Sequence, residues 1–96
     1  MKIQHTIMGY YHHRKTGRVF VVLKLPDDFE PHKAGWMRRP ELDEDGSQAW
    51  ELPDGRLCRH RLTEKGRSVY NVPVRDPQWL RKFHNGERPK ISDARI

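Results

Sequence analysis

Cys58 and His60 stand two residues apart in an alternating stretch, so a strand would place both on one face. That spacing can hold two ligands of a zinc ion, with His12 or His13 as a third. A structural zinc site ordinarily brings a second close pair, Cys-x₂-Cys or His-x₃-His. The chain has six His and one Cys, and no such pair. Its histidines read as packing or surface residues, and neither a metal nor another cofactor is expected. Glu51, His60, Tyr70 and Arg59 are the parts of a small ribonuclease: a base, acids and a cation for phosphate. No spacing singles them out. A phosphate-cradling glycine loop, a Gly-x-Ser-x-Gly elbow and His-Glu-x-x-His are all missing, so no catalytic residue is assigned. Glu41-Leu42-Asp43-Glu44-Asp45-Gly46 has the acids of a calcium loop without its ligand order or closing Glu.

Binding chemistry is better represented. Arg59 and Arg61 alternate with inward residues and share one strand face, while Arg14, Lys15, Lys65 and Arg67 lie in or beside turns. Guanidinium forks suit phosphate and carboxylate oxygens. Trp36, beside Met37 and ahead of Arg38-Arg39-Pro40, either anchors its loop or offers an aromatic contact to a partner. Arg14, Lys15, Arg59, Arg61, Lys65, Arg67 and Trp36 are therefore the candidate partner- or phosphate-binding residues. Sheets that bind nucleic acid usually add exposed aromatics for base stacking. Here most of the nine aromatics read as core, and Tyr10 and Tyr11 point to opposite faces. Charge without a stacking platform favours contact with a backbone or an acidic protein. The three Gly-Arg steps, at 17–18, 55–56 and 66–67, belong to turns at alternate sheet ends and cannot all converge.

The elements that must position these residues follow from two glycine turns. Arg14–Arg18 and Thr63–Arg67 each lie between apolar stretches and read as three-residue hairpin loops closed by Gly17 and Gly66. In the first hairpin this pairs His13 with Val19, Tyr11 with Val21, Gly9 with Leu23 and Ile7 with Leu25. That face reads as core. The other face, with His12 opposite Phe20 and Tyr10 opposite Val22, is also apolar, so both sides should be covered. In the second hairpin His60 faces Tyr70 and Cys58 faces Val72 on the inner side. Arg59 faces Asn71, Arg61 faces Val69 and Leu57 faces Pro73 on the outer, basic side. Pro73, lacking an N–H, places the last strand at an edge or ends it. Residues 49–52 form a short strand and Pro53-Asp54-Gly55 a tight turn. Asp76-Pro77 starts a helix with Trp79, Leu80 and Phe83 on one face and Asn85-Gly86 as its stop. It should dock on the second face of the first hairpin. A turn of helix is expected around Ala34–Met37.

The architecture expected is α+β: one small antiparallel sheet of about five strands, built from two glycine-turn hairpins, with a short C-terminal helix packed on it. Residues 1–86 make a single domain with a long acidic connection over 26–48, and 87–96 a flexible tail. Hydrophobic residues are 34% and charged residues 33% of the 96. The core is thus thin, and a deep substrate cavity is not expected. No apolar run is long enough to span a membrane or form a signal core. A lone Cys suits a reducing compartment, so a cytoplasmic protein is expected. The net charge is +6, but residues 27–51 carry −5 and the remainder +11. An acidic connection folded over the basic face would compete with an anionic partner.

Three function classes follow. The first is a small non-catalytic, inhibitor-type binding protein, of the size encoded by phages and plasmids, that occupies the surface of an acidic protein or nucleoprotein. The second is nucleic-acid binding through the Arg59/Arg61 face. The third is a small ribonuclease or toxin. Monomer and dimer are equally open.

Overall fold

The two glycine turns fold differently, and the difference decides which side chains face solvent. In the computed structural model, which describes residues 5–95, β1 (Thr6–His12) and β2 (Val19–Lys24) form the first hairpin, and β5 (Leu57–Leu62) and β6 (Ser68–Pro73) the second. The second has the expected three-residue loop. The Thr63 N–H donates to the Arg67 carbonyl and the Gly66 N–H to the Thr63 carbonyl, both at 2.8 Å. Arg59 faces Asn71, His60 faces Tyr70 and Arg61 faces Val69, as the turn chemistry requires.

The first loop is one residue longer. The His13 N–H donates to the Arg18 carbonyl, the Gly17 N–H donates back to the His13 carbonyl, and the Thr16 N–H donates to His13 Nδ1 at 3.3 Å. The His13 ring caps the turn from outside and draws itself into the closing pair. The register moves by one: His12 faces Val19, Tyr11 faces Phe20 and Tyr10 faces Val21. A one-residue slip exchanges the faces of a strand, so Tyr10 and His12, not Tyr11 and His13, join the Val19/Val21 side. A bulge between Ile7 and Gly9 then returns Ile7 to that side, opposite Leu23. Gly9 supplies the φ of +152° that the irregularity needs and that side chains rarely adopt.

Two more strands complete the sheet, β3 (Met37–Arg38) and β4 (Gln48–Glu51). The order is β1-β2-β6-β5-β4-β3, antiparallel throughout, with six strands rather than about five. The additional strand falls where a helical turn was expected. The helical turn comes earlier, as a 3-10 turn over Pro31–Ala34, and the Gly35 left-handed cap turns the chain into β3. β6 lies at the centre of the sheet. Pro73 ends it rather than marking an edge, because its missing N–H falls on the β5 side, where the ladder stops. The Arg56 guanidinium donates to the Pro73 carbonyl at 2.6 Å and closes that corner.

One face of the sheet is packed. It carries Val19, Val21, Leu23, Tyr70, Val72 and Cys58, with Val21 and Cys58 fully buried. Two elements cover it. Helix α1 (Pro77–His84) packs Phe83 edge-on to Tyr10 and His12, and Trp79 enters the core. The connection over 25–36 brings Phe29 and Trp36 onto Tyr70, at ring centroid distances of 5.9 and 5.4 Å. The helix therefore sits on the Val19/Val21 face and not on the Phe20/Val22 face. Phe20 and Val22 lie outside the core cluster and are half-buried. On their face neither α1 nor the 25–36 connection packs, although Val69 and Ala49 there are buried.

The helix ends follow the sequence closely. Asp76 Oδ1 accepts the Gln78 and Trp79 N–H groups. The Gly86 N–H returns to Phe83 and the Glu87 N–H to Lys82, a complete Schellman closure. Residues 87–95 carry more structure than their unpatterned sequence suggests. Trp79 Nε1 donates to the Lys90 carbonyl at 2.7 Å, Ala94 is buried, and the Arg95 N–H donates to Asp76 Oδ2.

Candidate binding face

The open face is built from three rows of side chains, about 7 Å apart along the strands. The first row runs Tyr11, Phe20, Pro73. The second runs Gly9, Val22, Asn71, Arg59, Ala49. The third holds Val69 and Arg61, and Lys24 of β2 points to the same side by alternation. Tyr11 is 50% exposed, and its ring lies 6.3 Å from Phe20 at an interplanar angle of 37°. His13 adds a third ring 6.2 Å from Tyr11. Cross-strand pairing thus sets an aromatic pair at one end of the face and Arg59 and Arg61 toward the other, separated by Val22, Asn71 and Val69. These are rings that the sequence reading assigned to covered faces. The slipped register of β1 and the docking of α1 on the opposite face leave Tyr11 half exposed here.

The candidate cations separate into groups. Arg59 and Arg61 share the open face, and Lys65 and Arg67 extend it at the adjoining turn. Arg14 and Lys15 occupy the turn at the opposite end, beyond Tyr11 and Phe20. Arg14, Lys15, Arg61, Lys65 and Arg67 make no ion pair with any described residue. Trp36 is 7% exposed and packs on Phe29 and Tyr70, so it anchors its loop and is out of a partner's reach.

Four of the eight acids of residues 27–51 pair with bases of the same segment. Arg38 holds Asp43 with both guanidinium nitrogens, at 2.6 and 2.5 Å, and Asp43 also accepts the Ala49 N–H at 2.9 Å. Those hydrogen bonds, Arg38 first, lower the Asp43 carboxyl to about 2. Arg39 pairs with Glu41 and Glu51, and Lys33 with Glu30. One acid of the segment reaches the basic face: Glu44 pairs with Arg59 at 3.1 Å, and the Leu42 carbonyl accepts from the same guanidinium. The segment therefore touches the corner of the face and leaves Arg61 uncovered.

Asn71 stands at the centre of the open face, and its buried Oδ1 has no hydrogen-bond partner among the described residues. A buried carbonyl without a donor is costly, and here it lies between Val22 and Arg59.

The ribonuclease parts do not meet. Glu51 and Arg59 belong to the open face; His60 and Tyr70 belong to the packed one, where their rings lie 4.8 Å apart. His60 is hydrogen-bonded to Ser68 and Gln48, and burial, then Arg38, lowers its pKa. Burial raises the Cys58 thiol to about 12, far from a reactive thiolate. No group of three or more His, Cys, Asp or Glu among the described residues is placed to hold a metal ion.

No described helix is long and apolar enough to cross a membrane. No known protein family, curated protein or solved structure matches the chain.

Proposed function

We propose that this protein is a non-catalytic binding protein whose working surface is the open sheet face, and that the ligand is single-stranded nucleic acid. The observation that carries this reading is the Tyr11–Phe20 ring pair, Tyr11 half exposed and Phe20 half-buried, on the same face as Arg59 and Arg61. Aromatic rings on an open sheet accept unstacked bases, and arginines beside them take the phosphates. The unpaired cations of both flanking turns lengthen the path available to a backbone. The ligand's bases would lie across the Tyr11/Phe20 row and its phosphates along Arg61, Lys65 and Arg67, or Arg14 and Lys15.

The test is fluorescence anisotropy with labelled single-stranded DNA and RNA. Three or four phosphate contacts imply a loss of about 30-fold in affinity between 50 and 200 mM salt. Tyr11→Ala and Phe20→Ala should each weaken binding by about 1–3 kcal/mol, the worth of one stacked base. Arg61→Ala should flatten the salt dependence. Binding that ignores both aromatic substitutions would refute the platform.

An acidic protein surface is the second reading. The exposed Leu57 and Met37 on the neighbouring strands favour it, as does Glu44, which already shows how a carboxylate seats on Arg59. It requires that no oligonucleotide bind even at low salt.

A further inference from the structure

A second constellation lies around the edge of the sheet, on the packed side of β1. A cavity of about 320 Å³ opens between β1 and the C-terminal end of α1, lined by Tyr10, His12, Arg14, Phe83, Gly86 and Arg88. Its floor is aromatic: Phe83 packs edge-on against Tyr10 at 5.7 Å and His12 at 5.1 Å, and Tyr10 keeps about half its surface exposed. Its rim is cationic, with two guanidiniums and no carboxylate in the lining. Neither Arg14 nor Arg88 pairs with an acid of the described chain. His84 stands next to His12, with ring centroids 6.2 Å apart.

Arg88 supplies an independent observation. Its φ of +52° makes it the one non-glycine residue with positive φ among those described. It also precedes Pro89, and a proline presses the residue before it toward extended backbone. A bulky residue held in the left-handed region costs free energy that other contacts must offset, and such outliers gather at ligand sites. The Schellman closure at Gly86 and Glu87 turns the chain so that Arg88 arrives at the cavity, and it satisfies the helix-end carbonyls that would otherwise repel an anion.

We infer that this cavity is a binding site for a phosphate monoester whose sugar also carries a flat base, a nucleoside monophosphate in chemical class. Its phosphate would sit between Arg14 and Arg88 and its base against Tyr10 and Phe83. The volume is at the lower end for small-molecule sites and suits one nucleotide, not a strand. The same chemistry has two sources, a free mononucleotide and the 5′-phosphorylated end of an oligonucleotide. The site lies on the packed side of β1; it shares only Arg14 with the phosphate path proposed for the open face, and Tyr10, Phe83 and Arg88 are its own.

The test is titration of the full chain with AMP, UMP, adenosine and inorganic phosphate, followed by amide and aromatic NMR shifts. A nucleoside monophosphate should bind at least tenfold more tightly than adenosine or phosphate alone, with the largest shifts at Tyr10, Phe83 and Arg88. Arg14→Ala should weaken it about tenfold. Arg88→Gly removes the guanidinium and relieves the backbone together, so it should raise Tm while abolishing binding. Loss of binding with a raised Tm separates a lost contact from a lost fold. In a Tyr11→Ala/Phe20→Ala background, a 5′-phosphorylated oligonucleotide that binds where its 5′-hydroxyl counterpart does not assigns the site to strand ends. Binding of mononucleotides alone assigns it to the free ligand. Equal affinity for AMP and adenosine, absence of binding by every phosphorylated probe, or unchanged binding by Arg88→Gly would overturn the inference.

Discussion

Single side chains on this protein divide into those that hold the acidic connection and those left unspent on the open face. Asp43 belongs to the first kind: it ties Arg38 to the start of β4 through the Ala49 N–H. Its carboxyl titrates near 2 in the fold, against an ordinary value of 3.8. The unfolded chain therefore takes up the proton first as pH falls. The stability that Asp43 contributes is complete above about 4 and is lost as pH falls through about 2. Asp43→Asn should lower Tm at neutral pH, and the gap to the unaltered chain should close between pH 4 and 2 in thermal melts. Asn71 is of the second kind. Asn71→Val removes a buried carbonyl that lacks a donor and adds a side chain suited to a strand. It should raise stability by about 1 kcal/mol in urea unfolding. If Asn71 serves the ligand, the same substitution weakens oligonucleotide binding.

At the scale of elements, the two coverings of the packed face differ in how they are fixed. The 25–36 connection is held by Leu25, Phe29 and Trp36, with Trp36 the most central, packed on both Phe29 and Tyr70. Trp36→Ala should cost about 3–5 kcal/mol, much of the stability of a small domain, and urea unfolding should show it. The helix and the segment after it depend on Asp76, which caps α1 with one oxygen and holds the Arg95 N–H with the other. Asp76→Ala should cost about 1–2 kcal/mol, and hydrogen exchange should rise at Gln78, Trp79 and Arg95 together. The helix was legible because its signals are local: Asp76-Pro77 at the start, Asn85-Gly86 at the end, and an apolar face between. The second hairpin was legible because its turn alone sets its register. The first hairpin was not, because the His13 side chain competes for a turn amide that a backbone rule leaves out. One residue of error then moved Tyr11 from solvent to core. The helix-docking face and the sixth strand were likewise invisible, since both depend on where a long connection crosses the sheet.

The whole molecule is a sheet packed on one side by a helix and a long connection. The other side is covered only at the Arg59 corner, by the acidic segment, with Val69 and Ala49 buried there as well. Its charge follows that division less simply than composition suggests. Of the candidate cations, Arg59 and Arg61 share the open face and Lys65 and Arg67 continue it, but Arg14 and Lys15 stand at the opposite end of the sheet. A basic excess read from the sequence becomes two separate positive regions, with the aromatic pair beside the Arg14/Lys15 end. Ligands that bridge both regions must extend along the strands. Oligonucleotide length should therefore matter: affinity should rise until a strand spans the roughly 20 Å of a six-residue strand and then level off, as a length series in anisotropy would report.

The strand order carries one more consequence. β1 with β2, and β3 through β6, are each wound from neighbours in sequence, and the two pieces meet only where β2 lies against β6. That seam joins Leu23 to Tyr70 and Phe20 to Pro73, positions far apart along the chain. Closing so long a loop costs entropy before any contact is gained, so the local pieces should assemble first and the seam last. The Phe20 row continues across that seam to Pro73, so the continuous open face exists only once the seam has closed. A chain halted one step short would have both hairpins and the proposed site in two halves.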